Sequence, residues 1–168
     1  DIALVFNPSG DLIGEYNSIK PIPFEKWVLP GNETNIFSTE LGNFGVSLCY
    51  EETQKIQKDF SKKGAQLLVS IANNLRLDYT AGSYLISLYP NLRAAENGKY
   101  LIRATNTGIT KIINPYGKTE AQLEPYKMGI LTGDIYLNNK MTFYTKYGNL
   151  ILYAVLAAFG VYFLKNIF

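Results

Sequence analysis

Short apolar runs separated by turn residues set the pattern of the first half of the chain. Residues 2–6 form one such run, Asn7-Pro8-Ser9-Gly10-Asp11 carries turn chemistry, and a second strand-like run follows, so a β-hairpin is predicted. Pro30-Gly31-Asn32 marks a loop. Residues 45–48 have the continuous apolar character of a buried strand ending at Cys49. Over 52–63 the spacing predicts a helix, with Ile56 and Phe60 four apart and Gly64 where a C-terminal cap belongs. A compact strand is predicted over 67–71. Residues 83–97 predict a second helix, with Leu85, Leu88, Leu92 and Ala95 on one stripe and Gly98 ending it. Further strands are predicted over 100–104, 109–113 and 129–135, with a turn at Asn114-Pro115-Tyr116-Gly117. The order strand, helix, strand, helix, strand predicts an α/β core whose sheet is covered on at least one face.

The tail differs in kind. Residues 147–164 carry no charge, and 150–164 are apolar almost throughout, with Tyr147, Tyr153 and Tyr162 placed where interfacial aromatics sit. At about 1.5 Å per residue such a helix covers roughly 27 Å, against a hydrocarbon thickness of roughly 30 Å. A membrane-inserting helix is therefore expected, with Lys165 able to reach the interface. The alternative is a long helix buried in a soluble core. This divides the chain into a folded domain over 1–146 and a transmembrane helix over 147–168. The chain opens at Asp1 directly into an apolar strand, without a methionine or a basic leader, so further sequence upstream is expected.

Composition narrows the chemistry. With 168 residues, 47% hydrophobic and 18% charged, the chain has enough material for one cored domain. Sixteen basic against fourteen acidic residues give a net charge of +2, which excludes a nucleic-acid footprint. One cysteine allows no internal disulfide, and the absence of histidine excludes Ser-His-Asp and Cys-His arrangements and His-rich zinc sites. Acid–base work falls to Lys, Glu, Asp or Tyr. Cys49 ends a predicted strand and precedes a predicted helix, a turn that exposes a side chain at a sheet edge and favours thiolate through the helix N-terminus. Glu51 and Glu52 oppose that effect electrostatically. Taken alone, a lone cysteine in an apolar strand is also an ordinary small core residue.

Four blocks then occur in order: Gly45-Val46-Ser47-Leu48-Cys49-Tyr50-Glu51, Gly64-Ala65-Gln66-Leu67-Leu68-Val69-Ser70-Ile71-Ala72-Asn73-Asn74, Leu92-Arg93-Ala94-Ala95-Glu96-Asn97-Gly98, and Arg103-Ala104-Thr105-Asn106-Thr107-Gly108. Together they resemble the nitrilase (carbon–nitrogen hydrolase) superfamily, most closely its apolipoprotein N-acyltransferase family, from about residue 2 to residue 147. The resemblance implies a nitrilase-like α-β-β-α sandwich, here its C-terminal portion without the N-terminal part, followed by a C-terminal transmembrane helix. It implies an N-acyltransferase of lipoprotein biosynthesis that moves a fatty acyl group from a phospholipid, through a thioester on Cys49, to the N-terminal amine of a lipoprotein. Partners would be the phospholipid donor and the lipoprotein acceptor, with no cofactor or metal. The location would be the bacterial inner (cytoplasmic) membrane, with the catalytic domain on the periplasmic or extracytoplasmic side.

The same resemblance assigns a catalytic lysine and a general-base glutamate, and here the sequence departs from the pattern. In Tyr16-Asn17-Ser18-Ile19-Lys20-Pro21-Ile22-Pro23-Phe24 the lysine's place is taken by Ser18. A serine holds no positive charge over a developing oxyanion. Lys20 is the obvious substitute, because residues two apart in a strand share a face, about 7 Å along; an ordinary surface lysine is the other reading. The glutamate base is expected upstream of residue 2. A further family carboxylate falls at Lys26, with Glu25 one residue early, and Asn73-Asn74-Leu75-Arg76 replaces a region that commonly holds Asp and Trp. The segment 30–45 is short for a membrane-facing arm. Glu51 matches a family carboxylate that supports the active site; Tyr50 and Asn106 lie in matching blocks. Arg93 and Glu96, three apart, are expected to pair. Two further readings stand beside the acyltransferase: a catalytically silent nitrilase-fold fragment acting as a binding module, and a soluble amidase.

Overall fold

The computed structural model describes residues 1–77 and 80–167, so residue 168, last of the segment expected in the membrane, lies outside the described residues. The predicted hairpin is present: β1 (Ile2–Phe6) pairs antiparallel with β2 (Leu12–Asn17) in a two-stranded sheet of its own. A six-stranded sheet follows the order β3 (Ile36–Thr39), β4 (Gly42–Leu48), β5 (Leu67–Ala72), β6 (Leu101–Thr105), β7 (Thr110–Ile113) and β8 (Thr119–Leu123). Its centre, β4 to β6, is parallel, and the flanking pairs are antiparallel. The parallel steps require crossovers, and the helices supply them.

Helix α1 (Ile56–Lys62) crosses from β4 to β5, while α2 (Ala81–Ile86) and α3 (Tyr89–Asn97) cross from β5 to β6. α1 packs on β4 and α3 on β6 and β7, covering the sheet face that carries Leu68, Ser70, Leu101 and Arg103. The closest approach is at Gly45, where a Cβ would lie 2.4 Å from the Phe60 ring; lacking one, β4 lets α1 settle directly on it. The alternate positions on β5 and β6 are less covered, Ile71 being 46% exposed. The hairpin packs toward the β3–β4 end, with Gly14 against Phe37 and Tyr16 edge-on to Phe60. Tyr16, Phe37, Val46, Leu48, Phe60, Leu68, Leu101 and Ile113 belong to one buried cluster. This is the α/β core predicted, with a helix layer on one face and, among the described residues, a separate two-stranded sheet of β1 and β2.

Several boundaries move. The helix predicted over 52–63 begins as a 3₁₀ turn, Cys49–Thr53, and restarts as α1 after Gln54 and Lys55. The helix predicted over 83–97 is two helices, broken at Ser87 and Leu88 with Pro90 in the first turn of α3. Its leucine stripe faces outward: Leu85, Leu88 and Leu92 are 62%, 59% and 50% exposed, whereas α3 buries Pro90, Arg93, Ala94 and Asn97. The polar residues win that face because they have partners inside, Thr145 Oγ1 reaching Asn97 Oδ1 at 3.0 Å. Gly64 and Gly98 do end their helices, at φ +100° and +62°. The strand predicted over 129–135 pairs with no strand; beyond it, side chains do the holding, as Lys99 Nζ donates to the Asn138 carbonyl at 2.6 Å and Asn138 Nδ2 to that of Gly98 at 2.7 Å.

The tail is helical as expected. After α4 (Phe143–Tyr147), α5 runs Leu150–Ile167, its large apolar side chains through Leu164 more than half exposed. The expectation of a transmembrane helix is corrected: among the described residues no helix is long and apolar enough to cross a membrane. The 18 residues of α5 extend about 27 Å at 1.5 Å per residue, against a hydrocarbon layer of roughly 30 Å.

Candidate active site

β4 delivers Cys49 to the end of a central parallel strand and then turns sharply. Cys49 has φ +49°, a left-handed conformation rare outside glycine, and opens the 3₁₀ turn Cys49–Thr53. Strained backbone of this kind is found where a side chain must be presented in a set direction. Cys49 is half-buried, and its thiol donates to the Asn73 carbonyl across 3.8 Å, at the end of the neighbouring strand.

Glu51 is the post to which the turn is tied. Fully buried, its carboxylate accepts from Leu48 N at 2.8 Å, Tyr16 Oη at 2.8 Å, Ile19 N at 2.8 Å and Lys20 N at 3.1 Å. Charge-assisted bonds of this number hold the segment after β2 against the Cys49 turn. The carboxylate is occupied in positioning rather than open to a substrate. Burial, then the Glu51 charge, push the Tyr16 hydroxyl far above its ordinary range, which keeps it a donor.

Glu52 and Arg103 form a second buried arrangement behind the cysteine. Arg103 Nε and Nη2 donate to the two Glu52 oxygens at 2.8 and 2.7 Å, and Nη1 donates to the Ile109 carbonyl at 2.6 Å. Ser70 Oγ also donates to Glu52, at 3.0 Å, and Arg103 Nη2 reaches Asn74 Oδ1 at 3.3 Å. Sequence reasoning quoted both residues without giving the pair a role. A charged residue inside an apolar strand, Leu101-Ile102-Arg103, was the available signal, since arginine is buried almost only when paired. Asn106 laces the nearby loops: Nδ2 donates to Asn73 Oδ1 at 2.7 Å, and Oδ1 accepts from Asn74 N at 3.0 Å. Tyr50 is half-buried, its carbonyl accepting from the Thr53 hydroxyl at 2.8 Å.

Burial pushes the Cys49 thiol upward; hydrogen bonding at the Asn73 and Tyr50 backbone pulls it down, and the Glu52 and Glu25 charges push it up again. The net direction is upward, so burial and the carboxylates outweigh the two backbone hydrogen bonds. Arg103 is committed to Glu52 and supplies no separate cation.

Ser18 and Lys20 separate. β2 ends at Asn17, so the strand alternation that would place them on one side does not extend to Lys20. Ser18 is buried with its hydroxyl unpartnered, while Lys20 is exposed; its backbone N–H holds Glu51, and it lines a cleft of about 210 Å³ that Cys49 does not line. Glu25 pairs with Arg76 at 3.0 Å, and Lys26 is exposed. The expected Arg93–Glu96 pair forms on α3.

An α/β sheet that ends a central parallel strand in a strained turn, braced by buried carboxylates, presents the Cys49 thiol at the sheet edge. The carbon-nitrogen hydrolase family profile matches residues 2–140, and the chain belongs to that family. It is 27% identical, over 95% of its length, to an apolipoprotein N-acyltransferase of Geobacter metallireducens, covering 34% of that protein. A Synechocystis protein of the same name is 26% identical over 98% of this chain, which covers 36% of it. The chain therefore spans about a third of the length of these curated relatives. Among solved structures, Saccharomyces cerevisiae Nit3, a member of branch 10 of the nitrilase superfamily, superposes with a TM-score of 0.63 at 23% identity, over 74% of this chain and 49% of that one.

Proposed function

We propose that residues 1–146 are the thiol-bearing part of an acyltransferase acting at a membrane, and that Cys49 takes a fatty acyl group from a phospholipid. The thiol sulfur attacks the glycerol ester carbonyl, a thioester forms, and the lysophospholipid oxygen leaves with the thiol proton. The N-terminal amine of a lipoprotein then attacks the thioester, an amide forms, and the thiol is regenerated. The observation that carries the reading is the Cys49 turn, in a chain matched along nearly its whole length by proteins named apolipoprotein N-acyltransferase. Glu51 acts as a positioning residue. Lys20, through its backbone, helps Glu51 do so, and the general base is assigned by resemblance to sequence upstream of residue 2. The exposed apolar surface of α5 supports membrane association, and the resemblance supports the extracytoplasmic face of a bacterial inner membrane.

The test is to incubate the full-length protein with phospholipid carrying a labelled acyl chain. Label is expected on Cys49, released by hydroxylamine and absent from Cys49→Ala. Failure of the full-length protein to acquire label would overturn the reading. It would favour a silent binding module, which the buried Ser18 at the lysine position and the raised thiol support.

A further inference from the structure

Three lysines, Lys20, Lys55 and Lys58, line one cleft together with Ile19, Gln54 and Asp59. Three cations against one anion leave the cleft positive, and among the described residues none of the three lysines is in an ion pair. The cleft adjoins the foot of α5. Lys58 Nζ lies 3.2 Å from where a Cβ on Gly148 would stand, two residues before the helix begins, and Lys55 Nζ lies 5.8 Å from the centre of the Tyr144 ring on α4.

We propose that this cleft seats the phosphate of an anionic phospholipid and so holds the domain against a negatively charged bilayer surface where α5 meets it. The inference rests on the membrane association proposed for α5. A helix whose apolar side chains meet the bilayer brings lysines at its foot into the negative surface potential and within reach of lipid phosphates. An ammonium gives phosphate oxygens short charge-assisted bonds, and aromatic rings such as Tyr144 favour the same depth. The cleft is also tied to the thiol. Lys20 lines it and its backbone N–H bonds Glu51, two residues from Cys49, so docking sets the orientation of the Cys49 turn over the lipid.

The experiment measures partition of the full chain onto neutral phosphatidylcholine vesicles and onto vesicles with phosphatidylglycerol added. Each lysine at an anionic surface strengthens binding roughly fivefold, so Lys55→Ala/Lys58→Ala should lose about twentyfold of the anionic preference and keep its partition onto neutral vesicles. Lys118→Ala/Lys127→Ala removes equal charge elsewhere and should lose less than about threefold. Equal losses in the two double variants, or no anionic preference in the parent chain, overturn the proposal. So does displacement from anionic vesicles by inorganic phosphate at constant ionic strength, which would make the cleft a free-phosphate site. Binding to anionic but not neutral vesicles, lost in Lys55→Ala/Lys58→Ala, would overturn the proposal as stated, since α5 would not meet the bilayer beside the cleft. A chain that fails to take up acyl label yet shows the cleft-specific preference would separate this surface from the proposed reaction.

Discussion

A non-glycine residue at the φ of +49° found at Cys49 costs roughly 1–2 kcal/mol of backbone energy, and the surrounding bonds must hold it there. Glu51 supplies four of those bonds from two directions, and Asn73 receives the thiol on the far side. Burial and the Glu52 charge raise the thiol, and Arg103, the cation bonded to Glu52, is committed to that carboxylate. Since only the thiolate is nucleophilic, alkylation of Cys49 by iodoacetamide should be several-fold slower than that of a free thiol at pH 7 and should still be rising beyond about pH 8.5, as followed by mass spectrometry. The linkage has a definite sign. A folded-state value above the unfolded one contributes stability below about pH 8.5 and loses it as the pH climbs through the folded value. Faster-than-free alkylation at neutral pH would mean that a cation reaches the sulfur.

The elements of the core meet at one ion pair. Glu52 comes from the 3₁₀ turn, Arg103 from β6, Ser70 from β5 and Ile109 from the residue before β7, so a single guanidinium and a single carboxylate join four pieces of backbone. Removing one partner leaves a buried uncompensated charge. Arg103→Met should therefore cost about 3–5 kcal/mol in guanidinium denaturation, and adding Glu52→Leu should recover a large part of the loss. No recovery in the double variant would mean that the pair matters through its bonds to Ser70 and Ile109 instead. Most elements were legible beforehand, since β1, β2, β4, β5 and the two glycine-ended helices follow from local period and turn chemistry. The outward leucine stripe on 85, 88 and 92 was not, because periodicity identifies a face without saying which neighbour it meets.

For the molecule as a whole, α5 stands apart from the folded body. Its apolar side chains are exposed, so ending the chain at Asn149 should leave denaturation stability within about 0.5 kcal/mol and abolish partition onto neutral vesicles. A loss above about 2 kcal/mol would show that the helix packs on the domain in solution. The half-open sheet face at Ile71 and the outward side chains of β1, Ile2, Leu4 and Phe6, add apolar surface beyond α5.

The sequence by itself determined most strands and helical segments of the core, the cysteine at a strand end and the helical tail, because each depends on spacing and turn residues within a few positions. Tertiary structure alone decided that Ser18 turns inward and Lys20 outward, that Glu52 meets Arg103 51 positions away, and that Lys20 joins Lys55 and Lys58 around one cleft. Those outcomes depend on which distant backbone ends a strand and which buried charge finds a partner, and no local period encodes either.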